Sequence, residues 1–302
     1  MISIVICSRK PDISSLLKEN IRNTIGVDFE IIVIDNSQNE YSIFSAYNEG
    51  VRRSKYPYLC FVHEDILFRT DDWGQNLVVH LSDKKTGIVG VAGSKMMTRI
   101  PSSWSMIGSY MNIIQHKNKK NKHIKRPNDF LENKQAAVLL GGVLLSVRRE
   151  LFDKIRFDEN FKGFHGYDFD ICAQSIVAGY TNYVIYDLLL EHFSFGNRTS
   201  EYYANMIQIY KKHERYLPLF ACDISDESQV KVNALELILF GKLIRRMSIN
   251  EFSTNTIIET AKHFAEILNN DKAKKELKNL RLKVFITKLF RKPQVLFSKP
   301  KL

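Results

Sequence analysis

In YLCFVHEDILF (residues 58–68) an apolar run meets three ionisable residues without a break. Tyr58 to Val62 has the length and composition of a buried β-strand. His63, Glu64 and Asp65 follow directly, and the chain turns apolar again at Ile66. Ionisable groups at the mouth of a buried strand are costly to desolvate unless a partner compensates them. The stretch therefore predicts a strand that ends in a site.

The segments on either side set that strand in a fold. ISIVIC (residues 2–7) reads as a first strand and FEIIVID (residues 29–35) as a second, with amphipathic helices expected over 14–23 and 42–54. A further helix over 73–81 leads to TGIVGVAG (residues 86–93), a fourth strand. Strands alternating with helices of this length predict an α/β fold with a doubly wound, mostly parallel, Rossmann-like sheet. In such sheets the ligand crevice lies beyond the carboxyl ends of the strands. Ser8 and Arg9, Asp35 and Asn36, and His63 to Asp65 then share one rim. The first of these turns, CSRKPD, has no glycine, and neither GxGxxG nor GxxxxGK[ST] occurs. Without a glycine cradle, a divalent cation held by carboxylates is the expected way to neutralise a bound diphosphate, which gives Asp65 a purpose.

The chain has 302 residues, enough for one large domain and a smaller one, and 44% hydrophobic with 25% charged residues is an ordinary globular composition. Cys7, Cys60, Cys172 and Cys222 are scattered with no CxxC pair, so neither a disulfide framework nor a zinc site is expected and a reduced, cytoplasmic setting is. MISIVICSRKPD lacks a basic n-region and a cleavage site, so no secretory signal is expected. No apolar run approaches the roughly 18 residues that span a bilayer. The net charge of +11 is concentrated in two places: about +9 in residues 271–302 and about +6 in HKNKKNKHIKR (residues 116–126).

The order IVICSR, EIIVIDNS, AYNEG, YLCFVHED resembles the nucleotide-sugar half of a GT-A glycosyltransferase of the family 2 type. Downstream, FDENFKGFHGYDFDICAQSIVAGY (residues 157–180) resembles that family's acceptor-side segment. EHFSFG (residues 191–196) resembles the segment where many members place a metal-binding histidine. The resemblance covers roughly residues 1–200. It implies a GT-A domain over 1–222, followed by a helical, basic C-terminal region over 223–302. The implied activity is transfer of a sugar from a nucleotide-diphosphate sugar, most often a UDP-sugar, to a hydroxyl acceptor, metal-dependent and inverting.

Carried onto this chain, the resemblance implies that Ser8, Arg9, Asp35 and Asn36 hold the nucleobase and ribose, with Asn48 close to the same pocket. Asp65 would bind Mn²⁺ or Mg²⁺ bridging the donor diphosphate, and His192 would complete the metal shell. Gly141 and Gly142 would bring backbone near the donor sugar, and Asp168 would be the general base for the acceptor hydroxyl. Two departures stand out. His63 replaces the first acid of the family's DxD motif, leaving three readings open for it: metal, ribose or neither. Tyr167-Asp168 replaces the family's ED pair, so only the second acid remains.

Plainer readings stand beside these. Asp168 and Asp170 could serve as helix N-terminal residues favoured by the dipole, and His192 could be structural. Glu64 could turn away from the crevice by strand alternation. The glycine pair could mark a bulge, and Trp73 or Trp104 could pack in the core or stack on a sugar. The segment around 116–126 reads as a mobile loop, either a solvated insertion or a lid over the diphosphate. From about Ser225 onward helical spacing predominates. Residues 272–302 pair apolar residues with Lys and Arg, the pattern of a helix lying on an anionic membrane surface or packing on the protein itself. A peripheral position on the inner face of the membrane would suit a sugar or lipid-linked acceptor in cell-surface polysaccharide or glycolipid synthesis. Two competing classes remain, a catalytically degenerate sugar-nucleotide binder and a nucleic-acid-binding protein. The second is not expected, because no basic–aromatic interleaving or reading motif is present.

Overall fold

The structure, a computed structural model, describes residues 1–106, 108–117, 120–126, 133–194, 196, 198–223 and 225–289, without the side chains of 106, 117, 120–126, 281 and 283–289. The chain divides into two compact units: residues 1–97, 104–197 and 219–222 form the first, and residues 98–103, 198–218 and 223–302 the second.

The first unit opens with β1 (Ile2–Ser8), α1 (Ser15–Thr24), β2 (Phe29–Asp35), α2 (Ile43–Arg53) and β3 (Tyr58–Val62). Next come β4 (Ile66–Phe68), α3 (Trp73–Ser82), β5 (Thr86–Gly90), β6 (Ala92–Ser94) and β7 (Met96–Met97). β8 (Ser109–Lys117), β9 (Lys120–Arg126), β10 (Lys134–Ala137), β11 (Leu139–Leu140) and β12 (Leu144–Arg148) follow. α4 (Tyr167–Val177), β13 (Thr181–Ile185) and β14 (Leu190–His192) complete the main run. The central seven-stranded sheet has the order β10-β13-β5-β12-β3-β1-β2. β1 pairs parallel with both β2 and β3, whereas β12 runs antiparallel between β3 and β5. The sheet is thus mostly parallel, as expected, with two antiparallel members, β12 and β10.

Alternation along the strands sorts the core into two layers. Ile4, Ile6, Cys60 and Val62 face the layer that holds Leu17, Ile21, Trp73 and Leu77. On the other face, Tyr47, Phe61, Phe157 and Tyr167 form an aromatic cluster, with Tyr47 5.4 Å from Tyr167 and 4.9 Å from Phe61. Gly50 in AYNEG lets α2 press onto β1, since a Cβ there would sit 2.1 Å from Val5 Cγ1. Trp73 stacks on Phe68 at 3.8 Å and donates to Thr24 Oγ1, so it is a core residue and not a sugar platform.

A second sheet, β11-β6-β8-β14-β4, carries β9 beside β8. The basic segment is therefore a hairpin and not the expected loop: Gln115 pairs with Lys122 and His116 with Asn121. Backbone pairing decides here, and a lysine-rich strand is well suited to the margin of a sheet, where charge discourages edge-to-edge association. Residues 118–119 lie outside the described residues.

The second unit contains α5 (Ser200–His213), α6 (Asp226–Ile249), α7 (Thr254–Leu268) and α8 (Asp271–Leu289), while β15 (Leu219–Phe220) pairs with β7 in the first. Leu239, Phe240, Leu243, Phe264 and Leu280 are buried, so the first half of α8 packs as a helix of the protein. Glu236, fully buried on α6, is held by Arg99, with Nε 2.9 Å from Oε2. The membrane reading of 272–302 extends past Leu289 into residues outside those described. Among the described residues, no helix is long and apolar enough to cross a membrane.

Candidate functional site

Parallel register brings the strand ends to one height: Ser8 stands opposite Asp35, and Ile6 opposite Val62, one residue before His63. The chain then folds back as β4, which pairs antiparallel with β14, so that Ile66 lies opposite His192 and Phe193 N–H donates to Asp65 O at 3.0 Å. Strand pairing thus delivers a histidine from far down the chain to the acid that ends the third strand. His192 Nε2 is 3.5 Å from Asp65 Oδ1, and His63 Nδ1 is 3.3 Å from His192 Nε2 and 4.0 Å from Asp65 Oδ1. One donor atom from each of the three residues lies within 4.8 Å of the other two.

Their outer hydrogen bonds set which nitrogens face inward. Gln115 Nε2 donates to Ser194 O at 2.6 Å, which turns Gln115 Oε1 toward His192 Nδ1 at 3.2 Å. His192 therefore donates through Nδ1 and presents Nε2 to Asp65. Such an outer partner is the usual means of fixing the tautomer of a metal-binding histidine. Burial alone would raise the Asp65 carboxyl, but the Ser194 hydroxyl and the neighbouring His192 and His63 rings outweigh it and hold it at about 2. Desolvation, with His192 adding to it, pushes the His63 ring down to about 4, so His63 is neutral at physiological pH. Two imidazole nitrogens and a carboxylate that converge in this way form a donor set that a divalent cation fits.

Glu64 does not turn away. Its carboxylate accepts from Ser8 Oγ at 2.6 Å, Arg9 Nε at 2.8 Å and Arg9 N at 3.2 Å, and so clamps the end of the first strand to that of the third. Burial raises the Glu64 carboxyl, yet these hydrogen bonds and the Arg9 charge leave it below its ordinary value. A cavity of about 410 Å³ opens beside the cluster, lined by Arg9, Asn36, His63, Glu64, Asp65 and Tyr167, among others. That is within the usual size range of small-molecule sites.

Asp168 lies in the first turn of α4. Its carboxylate accepts from Gly142 N at 3.1 Å and from Phe169 N at 3.1 Å. Burial outweighs these bonds and raises its carboxyl to about 6, within reach of a general base at neutral pH. Asp170, two residues on, is fully buried and accepts from Gln174 Nε2 at 2.8 Å. Gly142 has no room for a side chain, because a Cβ would sit 2.1 Å from the Tyr167 hydroxyl, and Gly141 faces the Trp104 ring.

Of the residues singled out by sequence, Arg9, Asn36, His63, Glu64 and Asp65 line the cavity, and Ser8 reaches it through Glu64. Asp35, the last residue of β2, is exposed, and its carboxylate accepts from Ser37 N at 2.9 Å. Asn36 is buried and clasps the following turn, bonding Tyr41 through both its amide groups. Asn48 is not among the residues that line the cavity: its Nδ2 donates to Phe157 O and Glu159 Oε1, both at 2.8 Å, and so braces the segment that precedes α4. Sequence reasoning passed over Tyr167, Gln115 and Ser194. Tyr167 stood in view as the residue replacing the expected glutamate, but its partners come from distant segments.

Comparison with solved structures finds the same fold at low identity. S. aureus TarS, residues 1–349, aligns with a TM-score of 0.55 at 10% identity over 96% of this chain and 92% of that one. A longer TarS structure gives 0.57 at 11% over 94% and 53%. GalNAc-T7, solved with UDP, GalNAc and Mn²⁺, gives 0.50 at 14% over 76% and 53%, so this chain spans about half its length. No curated protein sequence matches the chain. The Glycosyltransferase like family model matches residues 3–215, which covers both the polar rim and the Asp168 segment. The chain belongs to this glycosyltransferase family and has its GT-A fold.

Proposed function

We propose that the protein transfers a sugar from a nucleotide-diphosphate sugar, with a UDP-sugar as the leading candidate, to an acceptor hydroxyl, with inversion and dependence on a divalent cation. The observation that carries this reading is the convergence of His63, Asp65 and His192 beside the cavity that also holds Arg9 and Asn36. These three residues would hold Mn²⁺ or Mg²⁺, which supplies a counter-charge for the departing diphosphate. GalNAc-T7, crystallised with UDP, GalNAc and Mn²⁺, supports the pairing of nucleotide sugar with metal.

The other roles belong to the chain's own side chains. Arg9 and Asn36, with Ser8 and Asp35 behind them, orient the nucleoside at the carboxyl ends of the first two strands. The Glu64 clamp keeps Arg9 at the rim. Asp168 takes the proton of the acceptor hydroxyl, and the Gly142 N–H fixes the direction of its carboxylate. We assign this chemistry to residues 1–222. To the basic segment 272–302 we assign contact with an anionic membrane surface, consistent with a lipid-linked acceptor in cell-surface polysaccharide or glycolipid synthesis. Thermal-shift screening of UDP- and GDP-sugars with and without Mn²⁺ tests the proposal. Stabilisation by one nucleotide class that requires Mn²⁺ is expected, and no stabilisation by any of them would overturn it.

A further inference from the structure

Tyr167 is almost fully buried in the aromatic cluster, and its hydroxyl has polar neighbours from remote parts of the chain, the Tyr47 hydroxyl among them. It donates to Gly142 O at 2.9 Å and lies 3.0 Å from His63 Nε2. A carbonyl oxygen can only accept, so the single phenolic hydrogen is committed to Gly142. The phenolic oxygen keeps its lone pairs, and His63 must then donate to it through Nε2–H. Neutral imidazole carries one N–H, which leaves Nδ1 as a bare lone pair facing His192 Nε2 at 3.3 Å and Asp65 Oδ1 at 4.0 Å. The hydroxyl of Ser194, 3.4 Å from His192 Nε2, is a nearby donor, but it has one hydrogen for three acceptors.

We propose that Tyr167 is a positioning residue that holds His63 in the Nε2–H tautomer, making His63 Nδ1 the third donor for the cation alongside Asp65 and His192. The inference rests on the cation-site reading above and answers the question that HED leaves open in the sequence. Without the phenol, His63 Nε2 loses its acceptor and the proton moves to Nδ1. There it donates to His192 Nε2, and a ring-to-ring hydrogen bond fills the space the cation needs. The same contact explains two features of the local sequence. Gly142 must be glycine because the phenol occupies its side-chain position. Gly142 then uses its C=O for Tyr167 and its N–H for Asp168, so the backbone of one residue orients both the cation donor and the base. A glutamate at position 167 would supply an acceptor for Nε2–H but no hydrogen for Gly142 O.

The test is ¹⁵N NMR of the histidine rings in the full-length protein without metal, with Mn²⁺ affinity measured by calorimetry on the same samples. The wild type is expected to show His63, assigned by comparison with His63→Ala, as the Nε2–H tautomer. Tyr167→Phe is expected to shift it to Nδ1–H and to weaken Mn²⁺ binding by about 10- to 100-fold, the range for loss of a residue that orients a metal ligand. An unchanged tautomer, or Mn²⁺ affinity within twofold of wild type, would overturn the role of Tyr167. If Tyr167→Phe does not fold, the wild-type spectrum decides, because an Nδ1–H tautomer there contradicts the proposal outright. Absence of Mn²⁺ binding by the wild type would instead remove the cation-site reading, and the role of Tyr167 with it, a result distinct from equal binding by wild type and variant.

Discussion

His63 Nδ1 and His192 Nε2 lie 3.3 Å apart although 129 residues separate them in sequence. The antiparallel pairing of Ile66–Phe68 with Leu190–His192 makes this approach possible, and Asp65 completes the cluster at its edge. The proposed chemistry depends on that convergence, and the following consequences can be measured.

Asp65→Ala removes the one carboxylate of the cluster. Mn²⁺ affinity should fall by at least about 100-fold, since deleting a ligand costs more than deleting the residue that orients it. Calorimetric titration of wild type and variant measures this, with circular dichroism as a control that the fold is kept.

Asp168 gives the reaction an acid limb. Its carboxyl is raised to about 6 by burial, so the base is ionised above that pH, and the transfer rate should rise through pH 6 and level off. The stability effect has the opposite sign. The unfolded chain releases this proton near pH 4 and the folded chain near 6, so stability falls across that interval as pH rises. Asp168→Asn keeps an acceptor for the Gly142 N–H and carries no charge. It should cost about 10²- to 10⁴-fold in rate while its melting temperature at pH 7.5 equals or exceeds that of wild type.

Gly50 on α2 is packed against Val5 on β1 with no space for a methyl group. Gly50→Ala should destabilise the protein by about 1–3 kcal/mol in urea denaturation, the usual cost of overpacking. Adding Val5→Ala should recover part of that loss, because the clash is with the Val5 methyl groups.

Arg99 compensates a glutamate, Glu236, that has no exposure to solvent. Arg99→Met should cost about 3 kcal/mol by leaving that charge buried without its partner. Glu236→Gln in the Arg99→Met background should restore part of the stability, again read by urea denaturation.

Much of this arrangement was legible in the sequence because it is local. The runs ISIVIC, FEIIVID and YLCFV are apolar enough to be buried strands, and the polar residues that follow them fall on one rim as parallel pairing requires. Asp65 could be singled out from the cost of an acid at that position. What was hidden depends on pairing between distant segments. The strand Lys120–Arg126 is so rich in lysine that composition suggests a loop, and only its register with Ser109–Lys117 makes it a hairpin. Asn48 sits in AYNEG, a stretch whose resemblance to a known family suggested a place near the nucleotide, yet its amide is taken by Phe157 O and Glu159, partners over 100 positions away. Tyr167 looked like a loss relative to an expected glutamate. Its value lies in a hydroxyl placed between His63 and Gly142, a relation no local pattern encodes.

The most direct test of the central claim is calorimetric titration of UDP into the wild-type protein, once with Mn²⁺ and once with EDTA, repeated with His192→Ala. A cation-dependent nucleotide-sugar site predicts UDP binding that needs Mn²⁺ and is weakened at least about tenfold in His192→Ala. UDP binding of equal strength in EDTA and in Mn²⁺, unchanged by His192→Ala, would contradict it.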